Sequence, residues 1–61
     1  MTLTGKELVK LAVKDGWEIV RIESSHHILV KGDITVSIPV HAGKAIPKGL
    51  LNKLLKQMGL K

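Results

Sequence analysis

Apolar and polar positions along the chain fall into five blocks with two different periods. Between residues 5 and 15, Leu8, Leu11 and Ala12 recur at helical spacing, with Val9 on their flank, and they predict a helix whose buried face they form. Thr4-Gly5-Lys6-Glu7 reads as its capping box, with Leu3 placed to staple against Leu8, and Asp15-Gly16 ends it with a left-handed glycine. From Trp17 to Glu23 the period shortens and β-branched residues take over, with Trp17 and Ile19 expected on one side and Val20 and Ile22 on the other. Ser24-Ser25 is a polar break suited to a tight turn, and His26 to Lys31 reads as a second strand. Gly32-Asp33 is compatible with a type II′ turn, after which Ile34, Val36, Ile38 and Val40 alternate with Thr35, Ser37 and Pro39. Pro39 puts at least the end of that third strand on a sheet edge. Residues 41–45 form a loop, Pro47 opens a second helix, Leu51, Leu54, Leu55 and Met58 give it an apolar face, and Gly59 closes it.

The predicted fold is therefore α+β, in the order α-β-β-β-α. Two helices need an apolar surface to cover, and a three-stranded antiparallel sheet offers one, so both are expected on the same face with the other face open. At 61 residues the chain is read as one domain spanning 1–61. A domain of this size buries only about 60% of its unfolded surface, so each apolar stripe is assigned to the core first.

Charge changes the picture. Ten Lys and Arg against five Asp and Glu give a net charge of +5, which points to a polyanion or an acidic protein as partner. Lys6, Lys10 and Lys14 form a stripe on the first helix that only Glu7 interrupts, while Lys44 and Lys48 sit near the start of the second, where backbone N–H groups favour phosphate. No cysteine is present, and no signal peptide or long apolar run appears, so a soluble, cytoplasmic protein without a membrane partner is expected. Trp17 is the one aromatic residue; it is read as core, and a row of stacking rings for single strands is missing.

Candidate chemistry concentrates at His26. His26 and His27 are neighbours in a strand, so they point to opposite faces and only one can stand on the open side. The same geometry argues against the two converging on a metal, with no cysteine to join His41, and no metal or small-molecule cofactor is expected. Ser25 beside His26 does not make a nucleophile and base, because that arrangement needs facing side chains and an orienting third residue. Cleavage of an RNA phosphodiester suits a single imidazole better, since it titrates near neutrality and can serve either proton transfer. Cationic groups would hold the phosphate, and Arg21 and Lys31 are candidates by proximity in the hairpin. Two alternatives stand beside this reading: a non-catalytic module gripping duplex RNA by shape and phosphate, and an interaction domain whose charge recruits an acidic protein.

Gly16-Trp17, Val20-Arg21, Ser25-His26-His27, Ile38-Pro39, His41, Lys44, Ile46-Pro47, Gly49 and the closing run Leu54-Leu55-Lys56-Gln57-Met58-Gly59-Leu60 together resemble the HicA toxins of bacterial and archaeal toxin–antitoxin systems. The resemblance covers almost the whole chain. It implies a double-stranded-RNA-binding-domain-like fold, an mRNA-cleaving activity that blocks translation, and a cognate HicB-family antitoxin that masks the active site. Carried over by position, the catalytic histidine that follows the serine of Gly-Ser-His is His26. Ser24 stands where the family commonly has glycine, so the turn is expected either to differ or to carry mild strain.

Overall fold

The computed structural model describes residues 2–60. The element order is α1 (Gly5–Lys14), β1 (Glu18–Glu23), β2 (His26–Lys31), β3 (Ile34–Pro39) and α2 (Lys48–Gln57), as the hydrophobic pattern predicts. The strands make one antiparallel sheet in the order β1-β2-β3, so β2 is central and Pro39 ends an edge strand.

Both helices start and stop where local chemistry directs. At the N-terminus of α1 the Glu7 N–H donates to the Thr4 hydroxyl and the Thr4 N–H donates to Glu7 Oε1, satisfying two donors that the helix cannot. At its C-terminus the Trp17 N–H reaches back to the Ala12 carbonyl and the Gly16 N–H to Val13, a Schellman closure with Gly16 at φ 102°. The same closure recurs on α2, from the Leu60 N–H to Leu55 and from the Gly59 N–H to Lys56. Pro47 stands just before α2 as its N-cap rather than inside the first turn.

One core joins both helices to one face of the sheet. Leu8, Val9 and Ala12 of α1 and Leu51, Leu54, Leu55 and Met58 around α2 close over Leu29, Val36 and Ile38, with Trp17 and Ile46 at the margins and Leu3 packed against them. The α1 stripe differs from expectation by one position. Val9 is buried and Leu11 is 38% exposed, because the helix presents positions 5, 8, 9 and 12 to the sheet.

Gly5 explains that orientation. A Cβ at Gly5 would lie 2.1 Å from the Pro39 carbonyl oxygen and 2.7 Å from the Val40 Cα, so the first turn of α1 rests directly on the backbone at the end of β3. An antiparallel bridge between Thr4 and Ala45 and a 2.8 Å bond from the Ile46 N–H to the Leu3 carbonyl fasten the segment before α2 to the same corner.

The first strand carries an irregularity absent from a simple alternating reading. Ile19 pairs with Leu29 but Arg21 pairs with Ile28, so Val20 is an extra residue and β1 is bulged there. Ile19 and Ile22 consequently share the side of the sheet that carries Leu29 and His27, instead of lying on opposite sides, and both remain exposed at this edge of it.

Gly5→Ala is expected to lower stability by about 2–3 kcal/mol, because main chain rather than a flexible side chain must move; the urea midpoint measures it, and an unchanged midpoint would show that α1 can lift from β3 freely. The Thr4 backbone bond, then the Thr4 hydroxyl and the charge of Lys10, hold the Glu7 carboxyl below its ordinary value of 4.5. Stability from this group is present above that value and is lost as pH falls through the lower folded-state value. Acid unfolding of Glu7→Gln is therefore expected to show a shallower loss below about pH 4.5 than that of the natural chain.

Candidate functional site

His26 opens the central strand with Glu23 directly across on β1 and Pro39 directly across on β3. Paired residues share a face, and Leu29, Val36 and Ile38 mark the covered one, so His26 stands on the open face with Arg21, Glu23, Ile28, Val30, Thr35, Ser37 and Pro39. The His26 side chain is exposed, and among the described residues its ring takes part in no hydrogen bond or ion pair. His27 points the other way, between Ile22 and Ile38, half-buried, and its Nδ1 is buried without a partner among the described residues. Alternation along one strand thus divides the two histidines into a presented ring and a packed one.

The bulge at Val20 decides what stands beside His26. Without the extra residue, Arg21 would follow Ile19 onto the covered face; with it, Arg21 and Glu23 both emerge on the open face. There Arg21 Nε meets Glu23 Oε2 at 2.6 Å, with both side chains more than half exposed. Such a solvated pair contributes little to stability and can open at small cost.

The turn feeding His26 is a two-residue loop in which Ser24 has φ 55°, the only positive φ found at a residue other than glycine among the described residues. That is the backbone region in which an L side chain is crowded and glycine is not, so the strain expected at this position is present. The loop is held on its far side by a 2.6 Å bond from the Val40 N–H to the Ser25 carbonyl, which extends the β2–β3 ladder past its last strand pair.

The basic residues separate into groups. Lys6 follows Gly5, whose backbone touches the end of β3, and Lys44 precedes Ala45, which bridges to Thr4, so both are rooted at the corner near the His26 end of the sheet. Lys10 and Lys14 continue along α1, Lys14 being about 12 Å of helix rise from Lys6. Lys48 begins α2 and lines a groove between the helices with Leu3, Leu11, Leu51 and Leu55. Lys31 differs from expectation. It ends β2 on the covered face, where its Nζ bonds the Asp15 carbonyl at 2.9 Å and Asp15 Oδ2 at 3.1 Å, so it ties α1 to the hairpin at the opposite end from His26. Trp17 is only 3% exposed and offers no face to a base.

Two groups at this end escaped the sequence reading as site residues, Glu23 and His41. The register of the first two-residue loop would have identified Glu23 as the residue opposite His26. His41 follows Val40, whose N–H still pairs with β2, and its carbonyl accepts the Lys44 N–H at 3.0 Å in a tight turn with Gly43 at φ 69°. Among the described residues no three His, Asp or Glu side chains assemble as a metal-ligand set.

The sequence model of one family, described as HicA toxin of bacterial toxin-antitoxin, matches residues 5–60. The chain belongs to the HicA toxin family. Comparisons with curated proteins and with solved structures return no match. Membership makes the chain the toxin of a toxin–antitoxin pair, with a cognate antitoxin as its partner. No helix among the described residues is long and apolar enough to cross a membrane.

Ser24→Gly is expected to raise stability by about 1 kcal/mol by removing the positive-φ cost, after allowance for the added freedom of the unfolded chain. A denaturant midpoint that stays level or falls would mean that Ser24 sits in this conformation without strain.

Proposed function

We propose that this HicA toxin is an endoribonuclease that cleaves mRNA, and thereby stops translation, by metal-independent acid–base chemistry at His26. The observation that carries the reading is the exposed imidazole on the open face of the sheet with Arg21 on the same face, Lys6 and Lys44 being rooted at the corner near that end of the sheet. An RNA strand crossing that face meets an imidazole able to accept or donate a proton beside cations able to hold the scissile phosphate.

Arg21 has the closest relation to the site. In the free chain its guanidinium is held by Glu23, and a phosphate can exchange for that carboxylate because both ions are solvated. Lys6, Lys10 and Lys14 on α1, with Lys44 and Lys48 before and at the start of α2, carry positive charge on the helix side of the molecule and hold RNA phosphates away from the cleaved one. Lys31 serves RNA only at a distance from His26, since its ammonium is engaged with Asp15. The cognate antitoxin, of the HicB family, acts by covering the His26 face.

Cleavage of a mixed RNA in the presence of chelator tests the proposal. His26→Ala is expected to cut at least about 100-fold more slowly while binding RNA as before, whereas His27→Ala, if folded, retains cleavage. Undiminished cutting by His26→Ala would overturn the assignment. RNA binding with a steep salt dependence and no products from the natural chain would instead identify a non-catalytic duplex-RNA-binding module.

A further inference from the structure

A single imidazole leaves half of the proposed reaction unassigned. In an in-line displacement the attacking 2′-oxygen and the leaving 5′-oxygen lie on opposite sides of phosphorus. One ring cannot take a proton from the first while giving one to the second. A second group is needed across the phosphate from His26, on the same open face.

We propose that His41 is that group: His26 and His41, diagonal neighbours across the end of the β2–β3 ladder, act as base and acid on one RNA phosphodiester. The inference rests on the RNA-cleaving reading above. Its geometrical basis is the register. Pro39 is directly opposite His26, and the 2.6 Å bond from the Val40 N–H to the Ser25 carbonyl carries the pairing one residue further. Val40 packs against the core and His41, the next residue, is exposed; carrying the alternation of β3 one step past its end directs His41 toward the open side. His41 lies just past the last strand pair; were the ladder continued to it, its Cα would stand about 7–8 Å from that of His26, within reach of two extended side chains approaching one group from either side.

His41 is anchored on both sides in sequence. Behind it the Val40 bond holds the ladder, and ahead of it the Lys44 N–H closes the turn onto the His41 carbonyl. Ala45 then bridges to Thr4 and the Ile46 N–H bonds Leu3, so the segment carrying the ring is fastened to the N-terminal corner. Lys44 and Lys6 bring positive charge to this corner, where a phosphate between the two rings would sit.

The roles follow from the neighbours. His26 takes the 2′-hydroxyl proton, and Glu23, directly across the strand pair on the same face, offsets the positive charge that the ring acquires. The freed 2′-oxygen forms a bond to phosphorus and the P–O5′ bond breaks, its electron pair leaving on the 5′-oxygen. His41, entering as the imidazolium, gives that oxygen its proton. The products are a 2′,3′-cyclic phosphate and a 5′-hydroxyl, and proton exchange with water returns both rings to their starting states. No oxidant, reductant or metal enters the balance.

The test uses the full chain and a short oligoribonucleotide, first with an ordinary linkage and then with sulfur in place of the bridging 5′-oxygen, a leaving group that needs no proton. On the ordinary linkage His41→Asn and His41→Gln are expected to lower the cleavage rate at saturating RNA at least about 100-fold, with KM changed less than about threefold. On the sulfur-bridged substrate their loss is expected to shrink to less than about tenfold, while His26→Asn stays fully defective. Folded His41 variants that cut the ordinary linkage like the natural chain would overturn the proposal and leave the His26 reading standing. So would a defect that sulfur does not relieve. A natural chain that cuts neither substrate would remove the RNA-cleaving reading and this proposal together.

Discussion

The contact between α1 and the end of β3 is the constraint on which the rest of the molecule depends. At Gly5 the helix backbone comes so close to the Pro39 carbonyl that no side chain fits between them. That approach sets the depth at which Leu8, Val9 and Ala12 enter the core and rotates Leu11 out to the groove shared with α2. It also brings Thr4 within bridging distance of Ala45, so the segment leading into α2 is fixed by the same corner. A core of twelve buried apolar residues among the described ones has little surplus with which to hold loops in place. Backbone pairing at the corner does that work, and the candidate site is built where those pairings meet.

The two sheet faces have divided tasks, and the division runs through every strand. No polar or charged residue is buried among the described ones, so the covered face supplies stability with little polar content, half-buried His27 and the Lys31–Asp15 pair at its rim being the exceptions. The open face carries the ionisable groups at no desolvation cost. Exposure has a chemical consequence as well. Water competes for His26 and for the Arg21–Glu23 pair, so under the proposed function a bound strand would itself supply part of the enclosure that strengthens electrostatic contacts.

The hydrophobic pattern was sufficient for the fold because each element is locally self-consistent. Thr4 and Glu7 cap α1, Gly16 and Gly59 close the helices, Gly32 turns the second hairpin, and clean alternation from Ile34 to Pro39 fixes one strand face. It failed where two periodic signals collide. Trp17 and Ile19 phase β1 from one end, the Ser24-Ser25 turn phases it from the other, and the two differ by one residue. Only a bulge reconciles them, and period-2 reading has no place for an extra residue. Lys31 was misjudged for a related reason. Nearness in the hairpin does not specify a face, and counting from Leu29 puts Lys31 on the helix side, within reach of the α1 C-terminus.

That mismatch in phase is also what makes the site possible. A regular β1 continued from Ile19 would put Arg21 on the same face as Leu29 and would leave the His26 face without its arginine. The bulge takes up one residue, Val20, between the Ile19–Leu29 pair at one end of the strand and the pairs that lead into the turn at the other. Ser24 shows the same trade on a smaller scale: its left-handed backbone keeps the loop at two residues, which holds Glu23 opposite His26. A longer loop could relax the serine but would no longer fix that pair. In a chain of this size, the local irregularities lie beside the candidate chemistry because they are what turn a structural strand into one that presents His26, Glu23 and Arg21 together.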